Sequence, residues 1–253
     1  IPVRNLWLLM LYASTLYQRN NSLQQSNVEE NPDELLDMVA EVLVVAVERR
    51  LQRSLGRDYL ERDEVLTRVR GRIDALRTES RMLLSQGRVA CTFDDLTVDN
   101  PRNRLLLTAV GLAARNVNDD GLARRARALA MVFGQYGVSA RPIDQRSAAG
   151  VTLGRNEQDD AEAVWAANLL LEMVIATEDA GRRTGRDPIR EAKTIRALYE
   201  RAVRGFYRAV LPPPWRVSAG ETHHRWPVVE PSSGLHAILP IMKTDIELER
   251  TDR

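Results

Sequence analysis

The sequence predicts a helix-rich α+β protein of two domains, and three observations carry that expectation. Long stretches repeat apolar residues at three- and four-residue steps, the period that buries one face of a helix. Short extended pieces gather in two places, residues 59–93 and residues 215–250. Between them "QRSAAGVTLGRNEQDD" (Gln145–Asp160) is small, polar and glycine-containing, with no apolar period, and reads as a linker. A boundary there gives an N-terminal helix and strand domain over residues 1–150 and a C-terminal domain over residues 151–253.

Leu6–Tyr17 reads as a first, largely buried helix, and the polar, aperiodic Gln18–Glu34 as a loop. Asp33 is placed to cap the next helix, in which Leu35, Leu36, Val39, Val42, Leu43 and Val47 form one buried face before Gly56 ends it. Tyr59–Ile73 alternates as strands joined by short turns. "ALRTESRMLLSQG" reads as a helix closed by Gly87, and Arg88–Phe93 as a further strand. Asn100-Pro101 puts proline at a first helical position, where its missing N–H costs no hydrogen bond. A second helix, Leu122–Phe133, carries the arginine-dense "ARRARALA".

The second half opens with an amphipathic helix, "DDAEAVWAANLLLEMVIATED", broken by "GRRTGRDP". A long helix from Ile189 to about Leu211 stops at the triple proline Pro212–Pro214. Extended pieces follow: "WRVSAG", "HRWPVV", "HAILPI" and "TDIELER". No repeat of solenoid length occurs.

Apolar residues make up 44% and charged residues 28%, an ordinary globular composition. The formal net charge of +1 excludes neither nucleic acid nor an acidic partner. Lys193 and Lys243 are the only lysines, so the basic residues are almost all arginine, the side chain suited to bidentate phosphate contact. Cys91 is the only cysteine, which excludes an intrachain disulfide and any cysteine-based metal site and fits a cytoplasmic protein. The apolar core of "IPVRNLWLLMLYAS" is too short to span a bilayer, and no membrane segment is expected.

The chemistry is expected near the C-terminus. In "TDIELE", Asp245, Glu247 and Glu249 lie two residues apart, and a strand would put all three carboxylates on one face. One reading is an amphipathic strand with a solvated acidic face. The other is a divalent-metal site, since carboxylate oxygens are what Mg²⁺ prefers and Mg²⁺ can clamp a phosphodiester while activating a water. Nucleases of the PD-(D/E)xK fold use such an aspartate, with a glutamate from the preceding helix and an acid-x-lysine triplet on the next strand. Glu200 lies in that preceding helix, "RALYERAVRGFYRAVL", and no acid-x-lysine triplet follows Asp245 within this sequence.

Five blocks, "IPVRNLWLLMLYAS", "RVRGRIDALRTESR", "FDDLTVDNPRNRLLL", "ALYERAVRGFYRAVL" and "LPIMKTDIEL", occur in this order from Ile1 to Leu248. In them the chain resembles the McrC family, nuclease subunits of modification-dependent restriction systems. The resemblance implies a partner, an McrB-like AAA+ GTPase ring that recognises methylated cytosine in DNA and itself binds the GTP. It implies that the N-terminal half enters the ring and stimulates GTP hydrolysis, and that the C-terminal half is the start of a PD-(D/E)xK nuclease domain using Mg²⁺. It makes Asp245 the first metal-binding aspartate and Glu200 the helix glutamate. The family's aspartate-x-lysine strand would follow Arg253, so the 253 residues alone are expected to be inactive as a nuclease. The alternative is a non-catalytic activator of a GTPase ring, and a third reading is a plain DNA-binding helical protein.

Arg68, Arg70 and Arg72 alternate along the expected strand and would share one face, either solvated and paired with Asp63 or Glu64, or contacting the ring partner. The cluster Arg124, Arg125 and Arg127, the densest basic run, reads as solvated surface. His223, His224 and His236 lack ligand spacing and read as loop residues, and the four tryptophans as packing. No phosphate-cradling glycine loop occurs, so GTP is not expected to bind this chain.

Overall fold

The structure, a computed structural model, describes residues 2–26, 28–53, 55–181, 188–220, 223–224 and 242–252. It is helix-rich α+β, as the apolar periods predict. The helices are α1 (Val3–Ala13), α2 (Thr15–Arg19), α3 (Asn21–Gln25), α4 (Leu35–Gln52) and α5 (Ala75–Ser80). They continue with α6 (Pro101–Asn116), α7 (Asp120–Gln135), α8 (Gln145–Ala149), α9 (Ala161–Gly181) and α10 (Pro188–Val210). The strands are β1 (Asp58–Leu66), β2 (Arg72–Ile73), β3 (Val89–Thr97), β4 (Trp215–Ala219), β5 (His223–His224), β6 (Met242–Lys243) and β7 (Ile246–Arg250). No helix among the described residues is long and apolar enough to cross a membrane.

Packing divides the chain elsewhere than at residue 150. One compact unit joins Ile1–Met38 to Glu172–Arg253, and the other is Val39–Leu171. In the first unit the reason is the seam between α1 and α10. Gly205 of α10 lies against the main-chain carbonyl of Tyr12, so close that any β-carbon there would overlap it. Tyr12 meets Phe206 edge-on at 5.3 Å and Tyr17 at 5.0 Å. The indole of Trp7 donates to the Met173 carbonyl at 3.2 Å, tying residues 166 positions apart. A helix that buries apolar surface only against a distant segment folds with that segment, whatever the linker between them looks like.

Several local expectations change for identifiable reasons. Ser14 ends the first helix at Ala13 and caps α2 by accepting from the Tyr17 amide at 3.2 Å. Asn20 caps the short α3 in the same way, so Gln18–Glu34 is partly helical. Asp33 pairs with Arg4 at 2.6 Å. The single helix expected before Gly87 is split: α5 ends at Ser80 and Met82 takes φ 48°, outside the helical region.

In the second unit β1 and β2 flank β3, both antiparallel to it. Val89, Cys91 and Phe93 alternate along β3 and form a small core with Leu66. Helices α6 and α7 pack together, and Leu105, Leu106 and Val110 of α6 and Leu129 and Phe133 of α7 are buried. Asn100 accepts from the Asn103 amide at 2.8 Å, with Pro101 at the first position, as the sequence predicts. The buried Asn103 side chain donates to Gly56 O at 2.9 Å and Val98 O at 2.7 Å, so "DNPRN" fastens the start of α6 to the ends of the sheet.

The supposed linker is also structured, with α8 and a 3-10 turn, Arg155–Asp160, inside it. Asp160 is only 2% exposed and lies 3.0 Å from Arg50 and 3.4 Å from Arg102, itself 5% exposed. Arg102 also pairs with Glu157 and reaches Asp58 at 3.6 Å. Burial pushes the Asp160 carboxyl above its ordinary range, opposed by the two guanidinium groups.

Candidate functional site

The long helix α10 is made by an amphipathic period, with Leu198, Ala202 and Gly205 on the side that packs on α1. Its C-terminal part packs against β4, where the Arg208 side chain donates to the Val217 carbonyl at 3.2 Å. Strand β4 pairs antiparallel with β7 in the register Ala219↔Ile246 to Trp215↔Arg250.

Asp245 is in the bend between β6 and β7 and its side chain is exposed. The backbone holds it: the Gly220 amide donates to the Asp245 carbonyl at 3.1 Å. A β-carbon on Gly220 would overlap the Thr244 carbonyl, so glycine lets the two segments close. The Thr244 hydroxyl donates to Glu247 Oε1 at 3.1 Å. Glu247 and Glu249 share a strand face, while Asp245 precedes the strand, so the three-carboxylate face is shortened to two strand residues plus one bend residue. Glu200 is half-buried on α10 and has no ion pair among the described residues. No group of three His, Cys, Asp or Glu side chains close enough to hold a metal occurs among the described residues. His223 and His224, read from the sequence as loop residues, form the short strand β5, while residues 225–229 of "HRWPVV" and all of "HAILPI", with Trp226 and His236, lie outside the described residues.

One titratable group of this unit escaped the sequence reading. Glu172 on α9 is half-buried, and burial pushes its carboxyl upward against the field of Arg201 on α10. A signal was present, an acid within the apolar run "NLLLEMVIA".

In the other unit, Arg68 and Arg70 lie in the connection from β1 to β2, so they do not continue a strand, and Arg72 begins β2. Gly71, at φ 68°, makes the tight turn there; a β-carbon on it would come within 2.7 Å of Phe93 Cβ, so only glycine fits. Arg70 is engaged internally: its guanidinium stacks 4.0 Å from the Phe93 ring centroid and pairs with Asp95 at 2.9 Å. Asp95 also takes Arg62 at 3.0 Å, so it holds the position expected of Asp63 or Glu64. Arg68 and Arg72 are exposed and make no ion pair among the described residues. In the same unit, on α5 and the segment after it, Leu76, Met82 and Leu84 are 83%, 73% and 70% exposed. Arg125, by contrast, is spent on α4, pairing with Glu41 and Glu48 at 2.8 Å each.

The arrangement is that of an α+β protein with a three-stranded sheet whose β1–β2 connection carries arginines, and a two-stranded β4–β7 sheet, acidic on β7, packed on a basic helix. The sequence profile described as "McrBC 5-methylcytosine restriction system component" matches residues 3–228, and the chain belongs to that family. Over its whole length it is 25% identical to the Type IV methyl-directed restriction enzyme EcoKMcrBC of Escherichia coli K12, covering 71% of that protein. Solved structures similar to it include two McrBC assemblies. Against the cryo-EM structure of the Thermococcus gammatolerans McrBC complex the TM-score is 0.46 at 17% identity, over 73% of this chain and 59% of that one. Against a half-complex of Thermococcus gammatolerans McrB AAA+ hexamers with bound McrC it is 0.48 at 16% identity, over 98% of this chain. The chain spans about half of that second relative, 52%.

Proposed function

We propose that this chain is the McrC-like subunit of a GTP-dependent restriction endonuclease acting on DNA with methylated cytosine. The observation that carries the reading is the family match over residues 3–228, which spans both the arginine-bearing sheet and the α10–β4 corner. The E. coli relative, a methyl-directed restriction enzyme, supports the substrate class. An McrB-like AAA+ ring is the proposed partner, and GTP is bound by that partner.

In the nuclease unit Asp245, with Glu200 from α10, would hold Mg²⁺. The fit rests on the donor set: Mg²⁺ is commonly held through one or two carboxylates plus substrate phosphates, and an exposed aspartate on a pinned backbone is such a donor. Mg²⁺ when bound supplies Lewis-acid activation of the phosphodiester and of a water. Gly220 and Thr244 orient the Asp245 backbone, and the hold of Arg208 on β4 keeps α10 beside the hairpin.

In the sheet unit Arg68 and Arg72, with Leu76, Met82 and Leu84, form the proposed ring-facing surface. Arginine beside exposed aliphatic groups is the composition of interface hot spots. Arg70 supports the turn through Phe93 and Asp95.

The test separates the two units. In a complex assembled with the GTPase ring, Asp245→Ala is expected to abolish cleavage of methylated DNA and leave GTPase stimulation intact. The pair Arg68→Ala and Arg72→Ala is expected to abolish GTPase stimulation. Loss of both activities on Asp245→Ala would make that residue structural and sink the metal assignment.

A further inference from the structure

Helix α10 carries basic residues that its packing does not use. Lys193, Arg196, Arg204 and Arg208 recur with Glu200 at three- and four-residue steps, which places all five along one stripe of the helix. Leu198, Ala202 and Gly205, the buried side, lie on the opposite half of the helix. Lys193 and Arg196 are exposed and Arg204 is half-buried, and none of the three makes an ion pair or hydrogen bond among the described residues. Arg208 holds the β4 backbone. Arg201, just off the stripe, lies in the field of Glu172.

We propose that the Lys193–Arg196–Arg204 stripe of α10 binds the phosphate backbone of duplex DNA and lays it toward the Asp245 hairpin. The proposal rests on the nuclease reading above for the direction of approach. Three arguments support DNA over an acidic protein. The stripe lacks the large exposed aliphatic groups that accompany Arg68 and Arg72, so it fits a charged, water-rich contact. From residue 193 to residue 208 a helix rises ~22 Å, roughly two-thirds of a turn of B-DNA. And the stripe is continuous with the proposed site: Glu200 sits within it, and its end packs on β4, which leads into Gly220 and so to Asp245.

Phosphate contacts carry no sequence information, so the effect should be the same on methylated and unmethylated duplexes. The experiment is fluorescence anisotropy of a fluorescein-labelled duplex with the chain, titrated at several salt concentrations. The triple variant Lys193→Gln, Arg196→Gln, Arg204→Gln is expected to bind about tenfold or more weakly at 0.1 M salt, with the slope of log Kobs against log salt reduced by about 2 to 3. Thermal melting by circular dichroism checks that the variant is folded, and Arg124→Gln with Arg127→Gln on α7 serves as a charge-removal control that keeps the slope. An unchanged slope in the triple variant, no duplex binding by the unaltered chain, or loss of GTPase-ring association in place of DNA binding each overturns the proposal. Asp245→Ala distinguishes it from the nuclease reading: that variant is expected to keep the salt slope while losing cleavage in the assembled complex. If it keeps both, the metal assignment fails and the stripe stands.

Discussion

The Gly220 amide donates to the Asp245 carbonyl at 3.1 Å, at the point where β4 and β7 close their ladder. The residue proposed to hold a metal is thus positioned through main chain, while its carboxylate stays exposed. A β-carbon on Gly220 would overlap the Thr244 carbonyl, and backbone is less able to yield than the end of a side chain.

Gly220→Ala is therefore expected to destabilise the hairpin by about 1–3 kcal/mol, the usual cost of forcing extra atoms into a closed contact. Amide exchange at Asp245 and Ile246 should rise while that at α6 and α7 stays unchanged. Unaltered exchange at the hairpin would mean that the backbone contact does not fix Asp245.

Gly205→Val tests the seam that joins the two ends of the chain. The valine would have to displace the Tyr12 carbonyl, so α1 should separate from α10, at a cost of about 1–3 kcal/mol by denaturant unfolding. Limited proteolysis should then release the N-terminal segment first. A variant as resistant as the parent would show that α1 is held by other contacts.

Arg102→Ala leaves Asp160 buried with Arg50 as its remaining close cation. Removing one partner of a buried ionic group costs about 3–5 kcal/mol, because the other charge stays desolvated. Chemical denaturation should show that loss, and Asp160→Asn in the same background should restore part of it by removing the stranded charge.

Glu172 gives a pH dependence with a definite sign. Burial raises its carboxyl above the unfolded value, so the folded state binds the proton more tightly. The resulting stabilisation is fully present below the unfolded pKa and is lost as pH rises through the raised, folded one. Glu172→Gln should flatten that part of the stability curve and raise the melting temperature relative to the parent at neutral pH. An identical pH profile for parent and variant would remove the assignment.

Asp99 runs the opposite way. The Arg104 side chain donates to it at 2.7 and 2.5 Å and holds its carboxyl below the ordinary range, helped by the Ser139 amide. Its stabilisation is present above the unfolded pKa and is lost as pH falls through the lowered one. Asp99→Asn should remove that acid-dependent component from the unfolding curve.

Local sequence determined what local physics governs. The three- and four-residue apolar steps locate α4, α6, α7, α9 and α10, because a helix buries residues that are neighbours on its own surface. Asn100-Pro101 marks the start of α6, because a side-chain acceptor and a residue with no N–H to lose are both properties of that short stretch. The alternation of Val89, Cys91 and Phe93 shows a strand for the same reason. Tertiary structure alone decided the rest. It moved Asp33 from a helix cap to Arg4, engaged Arg70 with Phe93 and Asp95 while leaving Arg68 and Arg72 open, and folded the apparent linker around a buried Asp160. It also joined the first 38 residues to the last third of the chain, through contacts such as Trp7 with Met173. Such pairings depend on which distant surfaces meet, and no pattern read over a few residues encodes a partner more than a hundred positions away.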